Sequence, residues 1–149
     1  MDLDSLLQAS DIVTIHVPYI PGQNENMINE EFLSKMKRGS ILINTARGEL
    51  QDNKAILKAL ESNHLDGFGT DVFANETDIF FKQFEPWHSF PDPTVQKLVE
   101  MYPRVLVTPH VGSNTDEALS NMIVTSFNNF YAVLTDGQAK HEVPMTAFA

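Results

Sequence analysis

Apolar residues in this chain form short continuous runs separated by turn signals. Residues 12–17 are rich in β-branched side chains and stop at Pro18, which predicts a strand. Residues 40–44 carry a nearly continuous apolar run, which is typical of a strand in a parallel sheet with helices on both faces. Residues 65–72 and 104–109 have similar patterns, so we predict four strands.

Helical signals lie between and after these strands. Asn29 is a capping residue that precedes acidic residues and an apolar face, which predicts a short helix. Residues 52–62 predict a second helix. Asn114, with Glu117 three residues later, predicts the start of the longest helix, which ends at Gly137. Its apolar stripe comprises Leu119, Met122, Ile123, Phe127, Phe130 and Leu134.

Residues 74–103 differ in character from the rest of the chain. They combine aromatic residues with several prolines, which predicts a long ordered excursion with one helix near residues 94–101. The prolines are Pro86, Pro91, Pro93 and Pro103. The order of strand, helix, strand, helix, strand, excursion, strand and helix predicts an open α/β fold built from right-handed crossovers.

The composition argues against several partners and chemistries. Twenty acidic residues against ten basic ones give a formal charge of −10, which opposes binding to nucleic acid or an anionic membrane, so we expect neither. There is no cysteine, which removes thiol chemistry and fits a reducing compartment, so we expect the cytoplasm. We find no basic leader, no membrane-length apolar run and no histidine–carboxylate spacing typical of a metal site, so we expect neither export nor a metal.

Polar residues that could carry chemistry follow the predicted strands, where ligands bind in open α/β sheets. Arg47 comes shortly after the strand at residues 40–44, and Gly48 would allow a tight turn behind it. A guanidinium forms paired hydrogen bonds to a carboxylate, so Arg47 is a candidate for orienting an acid substrate and polarising its carbonyl. In isolation, an Ala-Arg-Gly sequence is more often a surface turn.

A histidine and two carboxylates follow the next two strands. His110 comes directly after Thr-Pro, and Asp71 and Glu76 flank the end of the strand before it. A histidine can transfer the proton that accompanies reduction of a ketone, and an adjacent carboxylate fixes its tautomer and favours its protonated form. We choose Glu76 for that carboxylate. A single histidine in this context is more often a loop residue, but an arginine, a carboxylate pair and a histidine at three strand ends favour a catalytic site.

Five short motifs occur in one order along the chain. They are His-Val-Pro at 16–18, Asn-Met-Ile-Asn at 26–29, Ile-Asn-Thr-Ala-Arg-Gly-Glu-Leu at 43–50, Gly-Thr-Asp-Val-Phe-Ala-Asn-Glu at 69–76 and Thr-Pro-His at 108–110. In this order and near this spacing they resemble the D-isomer-specific 2-hydroxyacid dehydrogenases. The resemblance is greatest to the branch that contains D-lactate, D-2-hydroxyisocaproate, phenyllactate and (R)-2-hydroxyglutarate dehydrogenases.

This resemblance implies a reaction and residue roles. Hydride transfer between NADH and a 2-oxo acid would give a D-2-hydroxy acid, with NAD as the cofactor. Arg47 would bind the substrate carboxylate, His110 would be the acid/base, and Glu76 would hold His110. Asp71 would hydrogen-bond the nicotinamide carboxamide. The other residues implied near the cofactor or its loop are Val17, Pro18, Asn26, Thr45 and Ala46.

The chain also departs from the family pattern. The glycine-rich turn Gly-x-Gly-x-x-Gly and the acidic residue that follows it are not in this sequence. We therefore expect a partial doubly wound, Rossmann-like parallel sheet that lacks the glycine-rich first βαβ unit. Residues 1–137 would be the C-terminal portion of a dinucleotide-binding domain, including the excursion at 74–103, and residues 138–149 a tail returning toward a substrate domain.

Two further expectations concern the substrate and the partners. Residues 111–115, Val-Gly-Ser-Asn-Thr, stand where lactate-type members usually carry an aromatic pair, which favours a branched, aromatic or dicarboxylic 2-oxo acid over pyruvate. The sheet edge left without its first half would invite association, so we expect a homo-oligomer or a complementing N-terminal half.

Alternatives to this dehydrogenase fragment remain open at the level of sequence. One is a truncated, catalytically inactive binding or assembly module with the same fold. Another is an unrelated open-sheet protein that uses Asp71 and Glu76 for a metal or a phosphate, although this explains Arg47 and His110 poorly.

Overall fold

The computed structural model describes residues 1–84 and 90–141. The chain divides into two compact units, Met1–Val111 and Gly112–Ala149. The excursion's Pro86 and residues 142–149 of the expected tail lie outside the described residues. The expected domain boundary after residue 137 stays a prediction.

A parallel four-stranded sheet forms the first unit, as the α/β pattern predicts. Its strands are β1 (Ile12–Ile15), β2 (Ser40–Asn44), β3 (Leu65–Thr70) and β4 (Val105–Val107), in the order β1-β2-β3-β4. Strands β1, β3 and β4 end two residues before the predicted ends, because the chain leaves the ladder there to form loops. Those loops carry the polar residues of the candidate site.

Five α-helices accompany the strands in residues 1–84 and 90–141. They are α1 (Leu3–Ala9), α2 (Glu30–Lys35), α3 (Asn53–Glu61), α4 (Pro93–Glu100) and α5 (Asp116–Asp136). The caps are Asp2, Asn29, Asp52, Asp92 and Thr115, and each accepts a backbone N–H of its own first turn. Helix α1 is not predicted from the sequence, because only Leu7 of its seven residues is buried and it shows no apolar stripe.

Helix α5 belongs to the second unit and ends at Gly137, as predicted, with that glycine in the left-handed conformation. The predicted start is wrong by one residue, because Thr115 rather than Asn114 caps the helix by accepting the amide of Ala118 at 3.2 Å. None of its residues, all of which the structure describes, is buried. In the described part of the chain, no helix is long and apolar enough to cross a lipid bilayer.

The sheet of the first unit is covered well on one face only. Residues of alternate positions, including Val13, Leu42 and Phe68, are buried on that face and form the core with helices α1 to α4. On the other face, Ile12 of β1 is 58% exposed and Leu106 of β4 is 56% exposed. On β2, Ile41 of the same face is 37% exposed, so the first unit does not by itself supply the helices expected on both faces of the strand at 40–44.

Candidate active site

The carboxyl ends of the four strands meet at one edge of the sheet, because all four run parallel. The loops that leave this edge begin at residues 16, 45, 71 and 108. All of the residues that the sequence predicts for catalysis and cofactor binding lie on them. Asn26 stands furthest along its loop, late in the connection from β1 to α2.

Gly48 determines how closely two of these loops approach. A Cβ atom on Gly48 would lie 2.0 Å from the carbonyl carbon of Phe73 and 2.1 Å from the nitrogen of Ala74. Only glycine therefore lets the loop after β2 contact the loop after β3. From the sequence, we expect Gly48 to allow a tight turn, and a 3₁₀ turn does begin there. The reason that this residue must be glycine is the lack of space for a Cβ atom, however, and not an unusual φ.

The loop that carries Arg47 is organised by Asn44, the last residue of β2. Asn44 is fully buried, and its side-chain oxygen accepts the amide of Ala46 at 3.0 Å. Its Nδ2 donates to the carbonyl of Arg47 at 2.9 Å and to Oε1 of Gln51 at 2.7 Å. Both polar atoms of this side-chain amide thus form hydrogen bonds that stabilise the loop. The apolar pattern of the strand does not predict this role of Asn44.

Arg47 itself is exposed at the sheet edge. Its Nη1 donates to the carbonyl of Ala46 at 2.7 Å, which turns the guanidinium back along the loop. Arg47 also lines two neighbouring pockets, which therefore meet at this residue.

Glu76 and His110 form a hydrogen-bonded pair between the loops after β3 and β4. Nδ1 of His110 lies 2.5 Å from Oε1 of Glu76, and the two side chains are 41% and 30% exposed. Because a carboxylate only accepts, Nδ1 donates, which leaves Nε2 as the ring nitrogen for proton transfer. His110 has a φ of 52°, in the left-handed region that few residues other than glycine and asparagine adopt.

Asp71 holds the backbone on both sides of His110. Asp71 is 5% exposed, and its carboxylate accepts from the Thr108 hydroxyl at 2.5 Å and from the Val111 amide at 3.0 Å. Its carbonyl accepts the amide of His110 at 2.9 Å. These bonds stabilise the strained conformation of His110. Sequence reasoning missed this contact, although a threonine two residues before a histidine was a visible signal of a hydroxyl near that site.

Two pockets lie along this edge and meet at Arg47. One, of about 400 Å³, brings the three predicted catalytic residues Arg47, Glu76 and His110 together. The other, of about 420 Å³, is lined by residues 16–19 and 45–47. It contains four of the predicted cofactor-binding residues: Val17, Pro18, Thr45 and Ala46.

Asn26 and Asp71 line neither of these pockets. Asn26 donates its backbone amide to the carbonyl of Glu49 at 2.9 Å. The side chain that secures the loop after β1 is instead that of Asn24, which accepts from the amide of Ile20 at 2.7 Å and donates to the carbonyl of Pro18 at 2.8 Å. An asparagine after Pro21-Gly22 is a turn signal that could have identified it.

Tyr19 is the residue in the second pocket whose acidity is changed by its surroundings. Burial raises the pKa of the Tyr19 phenol above its ordinary value of 10.0, and the nearby charge of Glu25 raises this pKa further. Tyr19 donates to Glu25 at 3.3 Å. The phenol therefore stays neutral over the physiological range.

Comparison with known proteins identifies the family. Residues 1–112 match the NAD-binding domain of the D-isomer-specific 2-hydroxyacid dehydrogenases. The chain belongs to this family. The resemblance drawn from the five sequence motifs is thereby confirmed, as is NAD as the cofactor of this type of domain.

Individual dehydrogenases are similar to nearly all of the chain. A D-lactate dehydrogenase of Lactobacillus delbrueckii subsp. bulgaricus is 36% identical over 141 residues, which are 95% of this chain and 41% of that protein. An aromatic 2-oxoacid reductase of Clostridium sporogenes is 34% identical over 140 residues, 94% of this chain and 41% of that protein.

A solved dehydrogenase structure supports the fold. The crystal structure of D-lactate dehydrogenase with NAD⁺ from Lactobacillus jensenii superposes with a TM-score of 0.84 at 37% identity, over 97% of this chain and 42% of that one. The partial Rossmann-like α/β sheet is therefore confirmed. The chain spans about two fifths of the length of the relatives that it matches.

Proposed function

We propose that this chain provides the coenzyme-side catalytic residues of an NAD-dependent D-2-hydroxyacid dehydrogenase, which interconverts a 2-oxo acid and a D-2-hydroxy acid. The observation that carries the proposal is the 2.5 Å contact between His110 and Glu76 in a pocket that Arg47 also lines. A carbonyl reduction needs a proton donor, and an acid substrate needs a cation. This pocket offers both.

Arg47 is proposed to bind the substrate carboxylate. A guanidinium matches a carboxylate with two parallel hydrogen bonds, which fixes the plane of a 2-oxo acid. Asn44 and Gly48 hold the backbone on either side of it, so the guanidinium starts from a fixed point on the loop. The carboxylate would then direct the adjacent keto group toward His110.

His110 is proposed to donate a proton to the keto oxygen from Nε2. Glu76 accepts from Nδ1, which selects the tautomer and stabilises the imidazolium before the proton is given up. In the reverse direction the same ring accepts the proton of the hydroxy acid. The carboxylate is a positioning and electrostatic group in both directions.

The pocket beside the catalytic pocket suits the nicotinamide end of NAD. It lies beyond the carboxyl ends of β1 and β2, where open α/β sheets bind dinucleotides, and it meets the catalytic pocket at Arg47. Val17, Pro18, Thr45 and Ala46 would line the cofactor there. Asp71, which lines neither pocket, would bind the carboxamide from beside it. When bound, NADH supplies the hydride.

The substrate that we propose has a side chain larger than that of pyruvate. Residues 111–115 carry Val-Gly-Ser-Asn-Thr, none of which is aromatic. Small groups after the catalytic histidine favour a branched, aromatic or dicarboxylic 2-oxo acid. On a preparation that turns over, pyruvate, 2-oxoisocaproate and phenylpyruvate should be compared, and a highest kcat/KM for pyruvate would refute this preference.

A second candidate is a non-catalytic binding or assembly module with the same fold. The exposed apolar residues on the sheet, Ile12 and Leu106, favour it, as does the apolar stripe of α5, in which Phe127 and Leu134 are both 71% exposed. For either function we propose association with a second copy or with a complementing N-terminal half. The cytoplasm remains our proposed compartment on the strength of the missing cysteines.

A fluorescence titration that measures NADH binding to the purified chain tests the proposal. It should be combined with the rate of NADH oxidation in the presence of a 2-oxo acid. His110→Ala should abolish turnover, whereas His64→Gln, at a ring that bonds the carbonyl of Leu33 away from the site, should not. No NADH binding by a folded sample would favour the binding or assembly module.

A further inference from the structure

Gln51 is a buried polar residue that has no role among those proposed for the reaction. It is only 4% exposed and lies between the 3₁₀ turn Gly48–Leu50 and Asp52, the cap of α3. An apolar side chain at this buried position would be enough to fill the core. An amide there must have hydrogen-bond partners, since an unsatisfied buried polar group is costly.

The Gln51 side chain has partners on three elements. Its Oε1 accepts from Nδ2 of Asn44 at 2.7 Å, at the end of β2. Its Nε2 donates to Oδ1 of Asn53 at 2.9 Å, in the first turn of α3, and to the carbonyl of Val72 at 3.4 Å, just after β3. Its backbone amide also closes the 3₁₀ turn on Gly48 at 3.2 Å.

These partners are connected to the proposed catalytic groups. Nδ2 of Asn44 donates to both Gln51 and the carbonyl of Arg47, so the two bonds share one amide group. Val72 stands four residues before Glu76 on the loop after β3. The Gln51 amide therefore joins the loop of Arg47 to the loop of Glu76.

We propose that Gln51 is a positioning residue, which holds Arg47 at the correct distance from the Glu76–His110 pair. The inference rests on the proposed function and adds a residue to it. The chemistry requires an amide, because Gln51 accepts from one partner and donates to two acceptors. A carboxylate could accept from Asn44 but would face the oxygens of Asn53 and Val72 without a proton to donate.

Two substitutions separate positioning from packing. Gln51→Met keeps the length of the side chain and removes its hydrogen bonds. It should raise KM for the 2-oxo acid about tenfold, the equivalent of one hydrogen bond, and leave the dissociation constant of NADH within about twofold. Ser40→Ala, at a buried polar residue at the other end of β2, should leave both constants unchanged.

Gln51→Glu adds a signature that a packing role would not produce. When protonated, the new carboxyl has one O–H donor and one acceptor, and it can restore part of the network. The ratio of its KM to that of the unchanged chain should therefore fall as the pH is lowered. The same ratio for Gln51→Met should stay constant. Equal KM values for the unchanged chain and both Gln51 variants would overturn the proposal.

Amide exchange tests the positioning even if the chain shows no turnover. The Ala46 amide donates to Oδ1 of Asn44 at 3.0 Å, and the Phe32 amide donates to Oδ1 of Asn29 at 3.0 Å on α2. In Gln51→Met, hydrogen exchange at Ala46 should accelerate about tenfold relative to that at Phe32. Unchanged relative exchange at Ala46 would refute the role of Gln51, whereas absent turnover with accelerated exchange would refute only the proposed reaction.

Discussion

Val111 donates its backbone amide to the carboxylate of Asp71 at 3.0 Å, so the residue after His110 is held by the end of β3. The same carboxylate oxygen accepts from Thr108, two residues before the histidine. Two bonds to one buried oxygen thus hold the loop on both sides of the proposed acid. The position of His110 therefore depends on Asp71 as well as on Glu76.

Replacing Asp71 separates loop anchoring from charge. Asp71→Asn keeps an oxygen that can accept both bonds, whereas Asp71→Ala removes them. We expect Asp71→Ala to lower the free energy of unfolding by about 2 kcal/mol, the range for hydrogen bonds to a charged group, and Asp71→Asn to lower it by well under half of that. Urea denaturation measures both, and equal losses would argue against anchoring through this oxygen.

Gly48→Ala should separate the loops that carry Arg47 and Glu76. The added Cβ would overlap the backbone of Phe73 and Ala74, so we expect a loss of about 3 kcal/mol in the free energy of unfolding and loss of any turnover. Gly22→Ala is the matched control. It has a φ of 73° but open space around it, so it should cost only about 1 kcal/mol and retain the site. Similar effects of the two substitutions would contradict the close approach.

The contrast between these residues shows what the sequence could predict. Asn29 and Gly137 mark helix ends through interactions with their own neighbours in the chain, so local rules suffice. Arg47, Glu76 and His110 could be proposed as one site because parallel strands bring their carboxyl ends to one edge. Each of these inferences uses a rule that does not require the packing of particular side chains.

Asn44 and Gln51 could not be assigned their contacts in this way. Their hydrogen bonds depend on which loops touch after the sheet has formed, and Asn44 was read as the end of an apolar strand. The exposed apolar face of the sheet was missed for a related reason. A continuous apolar run at residues 40–44 predicts that both faces of the strand pack against other elements. It does not indicate which elements these are.

Glu76→Gln should slow reduction. Glutamine preserves a hydrogen-bond acceptor for Nδ1 of His110 but removes the negative charge that stabilises a cationic ring beside it. In a preparation that turns over, we expect kcat/KM for the 2-oxo acid to fall about tenfold. The control is Glu61→Gln, at an exposed carboxylate that ends α3 and lines neither of the two pockets. An unchanged kcat/KM in Glu76→Gln would contradict the electrostatic role of Glu76.

Tyr19 allows a pH prediction that requires no turnover. Its pKa is raised first by burial and then by Glu25, so Glu25→Gln should lower the pKa of the phenol without returning it fully to its ordinary value. Ultraviolet absorbance during an alkaline titration reports the phenolate, and subtracting the titration of Tyr19→Phe assigns the signal to this residue. If the pKa of Tyr19 does not change in Glu25→Gln, Glu25 makes no contribution to its shift, which burial and the charge of Glu49 would then cause.

Association of the purified chain should depend on the exposed face of its sheet. Ile12 pairs in register with Ile41, and Leu106 lies in register with Ile43 through Gly69. Because Ile41 and Ile43 are two residues apart on β2, Ile12 and Leu106 share one face, which is apolar and largely uncovered. We expect sedimentation velocity to show dimers or larger species, and the double substitution Ile12→Lys with Leu106→Lys to shift them toward the monomer. Tyr102→Lys, at an apolar residue that is 74% exposed and lies outside the strands, is the control. If the unchanged chain sediments as a stable monomer, this face needs no partner. If association persists in the double variant, another surface causes it, and the apolar stripe of α5 is the candidate.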